Sequence, residues 1–431
     1  MKILLSDASG LTSRQIATIL SRKGHVVHVL APPGITLTKV TRHVAHVHRV
    51  PPFGVDPYDW LNSTLSIISN ENRARKGAFD VLICTQEQVA VLSAETDSVR
   101  KLGLKIAVPA FASLRRAMDK ISACEPLREA GLGQPESVII SAVSDLKDSD
   151  IFPAYAKLPI ATGSTGVRRV SDIQELESAC RSWRIFDSGG KVLLQKAIPG
   201  PLLMICGIFS HGKLVAWHSC LRAREGVNGG ASKKVSLPLP IIGTELERLG
   251  KELDWHGALS MDAILLDGKP MYIDVNPRIV EPMNALLSGV DLVGALLDVS
   301  LSMENLDTSG KEKVVPKPGK EGVTTHQLIL ALLAAAKEGR ISLVREVWMV
   351  IRGWKGYYGY KGSVEELTPV EGDWWSVLVL VVLVNLLLVG GRRMVERLSG
   401  QTVKNYAVSP QGWEGICRRE DEKGRATQIN E

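Results

Sequence analysis

The chain opens with an apolar run, Lys2–Ser6, that reads as a short buried strand, and then a turn, Asp7-Ala8-Ser9-Gly10. Ser13 stands where it can cap a helix whose apolar positions Ile16, Ile19 and Leu20 share one face, with Gly24 as the stop. Val26–Leu30 is the next strand, broken by Pro32-Pro33-Gly34; Asp80–Cys84 is another, with a helical stretch from Gln86. Strands alternating with helices predict a parallel sheet covered by helices.

From about residue 115 the pattern changes. Met118-Asp119-Lys120 opens a helix running to Ala130, stopped by Gly131. Pro153–Leu158 and Val167–Val170 are strands around a loop of small residues, Ala161-Thr162-Gly163-Ser164-Thr165-Gly166. Ser171 caps a helix from Asp172, with Glu175 near the reciprocal capping position. Val192–Gln195, Leu203–Phe209 and Lys213–Ser219 read as strands, the last two joined by the hairpin turn Ser210-His211-Gly212. Ala258–Leu266 and Met271–Val275 form a second hairpin around Asp267-Gly268. Hairpins interleaved with helices predict an antiparallel α+β region, unlike the first.

Residues 305–322, rich in Lys, Pro and Gly, read as a linker or a mobile loop. Beyond it Thr325–Lys337 is a helix stopped by Gly339, and Ser342–Arg352 is a second. Five of the nine tryptophans (348, 354, 374, 375 and 413) fall in this region, which predicts an aromatic core of its own. Residues 418–431 are polar and are expected to be disordered. Trp374–Val389 is apolar apart from Ser376 and Asn385. As a helix it would span roughly 24 Å, short of the roughly 30 Å of a hydrocarbon core. Trp374-Trp375 and Arg392-Arg393 at its ends suit interfacial anchoring. A buried helix and a membrane-associated one both remain open.

Composition bounds the answer further. With 431 residues, 45% hydrophobic and 23% charged, the chain has room for about three domains with real cores. That excludes a disordered chain, a collagen-like repeat and a disulfide miniprotein. The net charge of +6 is thinly spread, with no basic stripe, so no nucleic-acid partner is expected. Six cysteines without a CxxC pair suit reduced thiols, and MKILLSDASG lacks the apolar stretch of a signal peptide; a cytoplasmic location is expected. The Asp7–Gly10 turn has one glycine rather than GxGxxG, which argues against a dinucleotide site. His43, His46 and His48 lack a further ligand at metal spacing and read as a polar strand or loop surface.

The second hairpin carries the strongest chemistry. If Leu266 pairs with Pro270 across a three-residue turn, Asp262 lies opposite Asp274, and Asn276 shares the face of Asp274. Opposed carboxylates repel unless a cation lies between them, and an all-oxygen set with few carboxylates suits Mg²⁺ held together with substrate phosphates. The small-residue loop 161–166 lets backbone N–H groups approach phosphate oxygens. Lys157, a lysine on an otherwise apolar strand, and Lys120 offer point charges for a polyphosphate.

Together these residues resemble the ATP-grasp superfamily over roughly residues 1–300. Asp119-Lys120 is similar to the first ATP lysine of that family. Ala154-Tyr155-Ala156-Lys157 resembles the second, ahead of the glycine-rich loop Gly163-Ser164-Thr165-Gly166. Val192–Gly200, with Gln195, Lys196 and Ile198, resembles the hinge strand that contacts adenine, with Lys196 where an acidic residue is usual. Asp274-Val275-Asn276-Pro277-Arg278 resembles the metal-binding E-x-N-P-R, with Asp262 as the other metal carboxylate; the shorter Asp274 would need a small backbone shift to ligate. Asn228–Ser232 resembles the acceptor loop of some members, and the C-terminal region an extension found in a subgroup, around Gly322–His326 and Glu365–Pro369.

The resemblance implies a fold of α/β and α+β parts: a Rossmann-like pre-ATP-grasp domain (1–115), an ATP-grasp domain (116–304), a linker (305–322) and a helical C-terminal region (323–431). It implies a ligase in which ATP, with Mg²⁺ or Mn²⁺, phosphorylates a small carboxylate and an amine, or less often a thiol, displaces phosphate. In that reading Arg278 holds the transferred phosphoryl group or the carboxylate, unless an ion pair with Asp262 or Asp274 occupies it. The other reading is a non-catalytic ATP-binding scaffold of the same fold.

Overall fold

The structure is a computed structural model that describes residues 1–34, 37–73, 77–148, 151–162, 166–302, 316–353, 360–367, 373 and 375–430. Gly163, Ser164, Thr165, Trp354, Trp374 and most of the 305–322 linker lie outside the described residues. Three sheets organise the chain. The first joins β1 (Lys2–Leu5), β2 (Val26–Ala31), β3 (His46–Arg49) and β4 (Val81–Ile83), all parallel, in the order β3-β2-β1-β4. The central strands β1 and β4 are almost wholly buried, as covered parallel strands are, whereas the edge strand β3 is polar and exposed at both ends.

Two local expectations change here. The helix after β1 is Leu11–Arg22, with Gly10 at the N-cap. Ser13 is not its cap; it is buried and donates to Thr85 Oγ1 at 3.0 Å. The free N–H groups at this turn go instead to Asp7, whose Oδ2 accepts from Ser9 N and Gly10 N, both at 2.7 Å. His43 and His48 are buried rather than on the surface. His48 Nε2 lies 2.9 Å from His28 Nδ1 with the rings stacked, and His43 Nδ1 lies 3.1 Å from Ser21 Oγ. A hydrogen-bonding neighbour for each ring lets these imidazoles enter a core that isolated polar groups would not.

The second sheet is antiparallel: β5 (Ser137–Ile140), β6 (Ala154–Lys157), β7 (Val167–Val170) and β8 (Val192–Lys196), in the order β5-β8-β6-β7. The helix before it is Cys124–Glu129, shorter than the pattern suggests. Asp119 Oδ1 accepts from Ile121 N and Ser122 N, so Lys120 stands in a turn, not on a helix. On the helix Ile173–Trp183 the cap is Asp172, not Ser171: Asp172 Oδ1 accepts from Glu175 N, and Glu175 accepts from Ser171 N, the capping box moved by one residue.

The largest sheet contains β9 (Leu202–Ser210), β10 (Lys213–Glu225), β11 (Ala231–Ser236), β12 (Gly257–Leu266), β13 (Lys269–Asn276), β14 (Thr324–His326) and β15 (Ser363–Glu365). Its order is β13-β12-β9-β10-β11-β14-β15. Thr325 and His326 are therefore strand, where periodicity suggests helix; the helix begins at Leu328. The free edge of β11 decides this, since Lys233, Lys234 and Val235 pair with β14.

Among the described residues the C-terminal region does not bury an aromatic core of its own. Trp348 and Trp375 are exposed, while Trp413, Val408 and Ile416 join the core that holds Phe53 and Trp60. Residues 418–430 are not disordered: they continue the helix Pro410–Asn430. Asp421 pairs with Arg115 at 2.6 Å and Lys423 with Glu95 at 2.8 Å, which fastens this polar helix across the N-terminal part of the chain. A buried ion pair, Arg14–Asp373 at 2.7 Å, ties the first helix to the same region.

Candidate active site

The hairpin β12–β13 brings the two acids together by a route different from the expected one. The turn has two residues, Asp267 and Gly268, both at positive φ (49° and 78°), and Leu266 pairs with Lys269, not with Pro270. That register alone would set Asp262 against Ile273. A β-bulge at Ile273 inserts one residue, and Asp262 lies opposite Asp274 after all. Beyond the bulge Asn276 sits across from Ser260, on the same face as Asp274.

Burial, then the facing Asp274, pushes the Asp262 carboxyl up to about 7. Asp274 Oδ1 is buried without a hydrogen-bond partner, although Lys120 Nζ approaches to 3.6 Å. Two opposed carboxylates and an orphaned oxygen fit a hard cation. Among the described residues no third His, Cys, Asp or Glu joins them, so further ligands would have to come from Asn276, phosphate oxygens and water.

Both lysines converge on this spot. Lys157 is buried and donates to Gln195 Oε1 and to the bulge carbonyl of Ile273, each at 2.7 Å. Burial lowers its ammonium to about 8, with Asp274 opposing the shift. Lys120 Nζ donates to Ala161 O at 2.9 Å, at the start of the small-residue loop. Lys120, Gln195, Ile273 and Asp274 share the lining of a small cavity of about 10 Å³. Lys196 points away, its Nζ 2.9 Å from Glu136. Ile198 lies just past the end of β8, partly buried, and Gly166 accepts at its carbonyl from Leu158 N.

Arg278 makes no ion pair with Asp262 or Asp274 among the described residues, and its Nε is buried without a partner. A planar cation held in place and left unpaired suits an anionic ligand. Across from it, Asn405 Nδ2 donates to Ser9 Oγ at 3.2 Å, and Val408 N to Glu87 Oε2 at 2.7 Å. Thr162, in the loop next to Lys120's acceptor, donates to the other Glu87 oxygen. Tyr406 lies between these anchors. Burial pushes its phenol up to about 12, and the charges acting on it are Arg278, Glu87, Asp7 and Glu281.

No protein-family model matches the chain. Among curated proteins it is 23% identical over 236 residues to the carbamoyl phosphate synthase large chain of Thermoanaerobacter sp. (strain X514), covering 52% of this chain and 22% of that one. It is 23% identical over 249 residues to the acetyl-CoA carboxylase of Dictyostelium discoideum, covering 52% of this chain and 11% of that one. The chain thus spans about a fifth or less of the length of these relatives. Among solved structures it is similar to an L-amino acid ligase from Bacillus licheniformis, at a TM-score of 0.54 and 17% identity over 73% of this chain and 79% of that one. It is also similar to the biotin carboxylase domain of the Hydrogenobacter thermophilus 2-oxoglutarate carboxylase, solved with MgADP, ADP and bicarbonate. There the TM-score is 0.55 and the identity 16%, over 75% of this chain and 73% of that one.

The chain has the ATP-grasp fold.

Within that fold Lys120, Gln195 and Asp274 line one small cavity, Lys157 donates to Gln195, and the β12–β13 pairing sets Asp262 and Asn276 near Asp274. Asn228–Ser232 forms a tight turn against Leu330. Sequence reasoning missed Glu87, Asp7 and Tyr406. Asp7 stood in a turn judged only for its glycines. Tyr406 carries no local signal, because 128 residues separate it from Arg278 and only the returning chain brings it near.

Proposed function

We propose that the chain is an ATP-dependent ligase that activates a small carboxylate and transfers its acyl group to an amine, with a thiol as the alternative acceptor. The observation that carries this reading is the opposition of Asp262 and Asp274, with an orphaned carboxylate oxygen, beside Lys120 and Lys157. Asp262, Asp274 and Asn276 would hold Mg²⁺ or Mn²⁺, which supplies charge neutralisation on the phosphates.

Lys120 and Lys157 bind and orient the polyphosphate. The stretch Gln195–Ile198 would contact the base. Arg278 holds the carboxylate in line with the γ-phosphorus. A carboxylate oxygen forms the new P–O bond as the bond to ADP breaks, giving an acylphosphate. The amine then attacks the acyl carbon and inorganic phosphate leaves. No Ser or Cys nucleophile takes part.

Thermal unfolding of the full chain with Mg²⁺ and a non-hydrolysable ATP analogue tests the nucleotide site, with Asp274→Ala alongside and NADH as control. A shift with the analogue that is lost in the variant supports the reading. Phosphate release across a carboxylate–amine panel then tests the ligase step. An unshifted wild type rejects the nucleotide site, and nucleotide binding without turnover on any pair rejects the ligase.

A further inference from the structure

The apolar segment near the C-terminus belongs to the helix Trp375–Tyr406, which breaks at Gly391 (φ 51°, ψ −141°). One side of its first half is packed: Leu387 is fully buried, and Leu380, Leu383, Val384 and Leu388 pack against the core that contains Leu330, Leu333 and Leu343. The opposite side is bare. Trp375 is 74% exposed, Val389 is 81% exposed, and Leu378 and Val382 between them are exposed by half. The neighbouring helix, Arg340–Gly353, does the same: Ile341, Val344, Trp348 and Ile351 are all more than half exposed, at helical spacing along one stripe. Arg340 Nη2 donates to Val389 O at 3.4 Å, so Ile341, the start of one stripe, adjoins Val389, the end of the other.

A helix with one face packed on protein cannot be ringed by lipid, and Trp375–Val389 spans only about 22 Å at 1.5 Å per residue. Spanning is thereby disfavoured, while lying flat on a surface fits. The charges around the two stripes choose the surface. Arg340, Arg345, Arg352, Arg392, Arg393 and Arg397 are exposed there, against two exposed acids, Glu338 and Glu396, the latter paired with Arg392. The third acid, Glu346, is buried and paired with Arg224 at 2.7 Å. In a two-fold dimer this patch would meet its own copy and set arginine against arginine. An anionic bilayer meets both the apolar stripes and the basic border. Asn385, the exposed polar residue within the stretch, donates its amide back to Val381 O at 2.7 Å, which lowers the cost of its burial.

We infer that the exposed faces of Arg340–Gly353 and Trp375–Val389 form an interfacial docking surface for an anionic lipid bilayer, with the helices lying in the headgroup plane.

The test is co-sedimentation of the full-length chain with vesicles of phosphatidylcholine alone, or with a quarter phosphatidylglycerol, at about 0.1 M and about 1 M salt. Binding to the anionic vesicles is expected, weakened by high salt and reduced by about tenfold or more in Leu378→Glu/Val382→Glu and in Ile341→Glu. Arg345→Gln/Arg393→Gln should abolish the preference for anionic lipid. Melting temperature and nucleotide binding should stay at wild-type values in every variant, which separates this surface from the catalytic reading. The inference is overturned if the wild type ignores both vesicles, or if the glutamate variants bind as well as the wild type. It is also overturned if the wild type is a dimer that Leu378→Glu splits without any vesicle binding, since a second copy would then own the face.

Discussion

Asp274→Asn should stabilise the empty protein while destroying its response to nucleotide. Two ionised carboxylates on directly opposed strand positions lie about 5 Å apart at Cβ. At an effective dielectric of about 20 their repulsion is roughly 3 kcal/mol. Unfolding a chain of 431 residues carries an entropy of about 0.9 kcal/mol/K at about 2.1 cal/mol/K per residue. Relieving the repulsion is therefore worth up to about 3 °C in melting temperature. A saturating Mg²⁺–nucleotide complex at about 100 times Kd adds about 2.7 kcal/mol to the wild type, again about 3 °C. The two melting temperatures should converge. In EDTA the variant melts higher; with Mg²⁺ and analogue the wild type catches up and the variant does not move. Differential scanning fluorimetry is run at about pH 8, above the value of about 7 for the Asp262 carboxyl. If Asp274→Asn melts lower than wild type in EDTA and still shifts with nucleotide, the facing acids are structural and the metal reading fails.

Lys157→Met should raise the Kd for the ATP analogue by about tenfold or more, roughly 1.4 kcal/mol. It should also cost the empty protein about 1–3 kcal/mol, because Gln195 Oε1 and Ile273 O lose their buried donor; calorimetry and urea unfolding read the two effects separately. Trp413→Ala should destabilise the N-terminal part of the chain by about 3–5 kcal/mol in urea, since the ring is buried in the core around Phe53 and Trp60. An unchanged midpoint would mean that the C-terminal helix is dispensable there. Acid should weaken the fold between about pH 6.5 and 4. Burial lowers His28, His48, His218, His256 and His326 to about 4, so in that window the unfolded chain binds more protons than the folded one. Asp7, raised to about 6, and Asp262 work in the opposite direction, two groups against five. Stability that rises on acidification through this window would refute the assignment.

Much of the fold was legible because its signals are local. The β1 turn, the Asp267-Gly268 hairpin and the stop at Gly339 depend on turn chemistry and on periods of two or 3.6 residues. The spacing of Asp262 and Asp274 was legible too, and so was the resemblance of the motifs in their order. The register that joins those acids was not. A two-residue turn and a bulge each shift the pairing by one, and the bulge carbonyl at Ile273 is held by Lys157 from another sheet.

The same division runs through the rest of the chain. Periodicity identified an apolar C-terminal helix, but only packing shows which of its sides is covered. Thr324–His326 became strand because β11 had a free edge. His43 and His48 entered the core because Ser21 and His28 receive them. Trp413 joined a core more than 300 residues away along the chain, and Tyr406 reached the charges around Arg278 in the same return. Element identity, turns and motif order follow from short-range sterics and hydrogen bonding, which a sequence contains in full. Register, burial partners and the far side of the candidate site depend on which distant surfaces meet, and only the tertiary structure decides that.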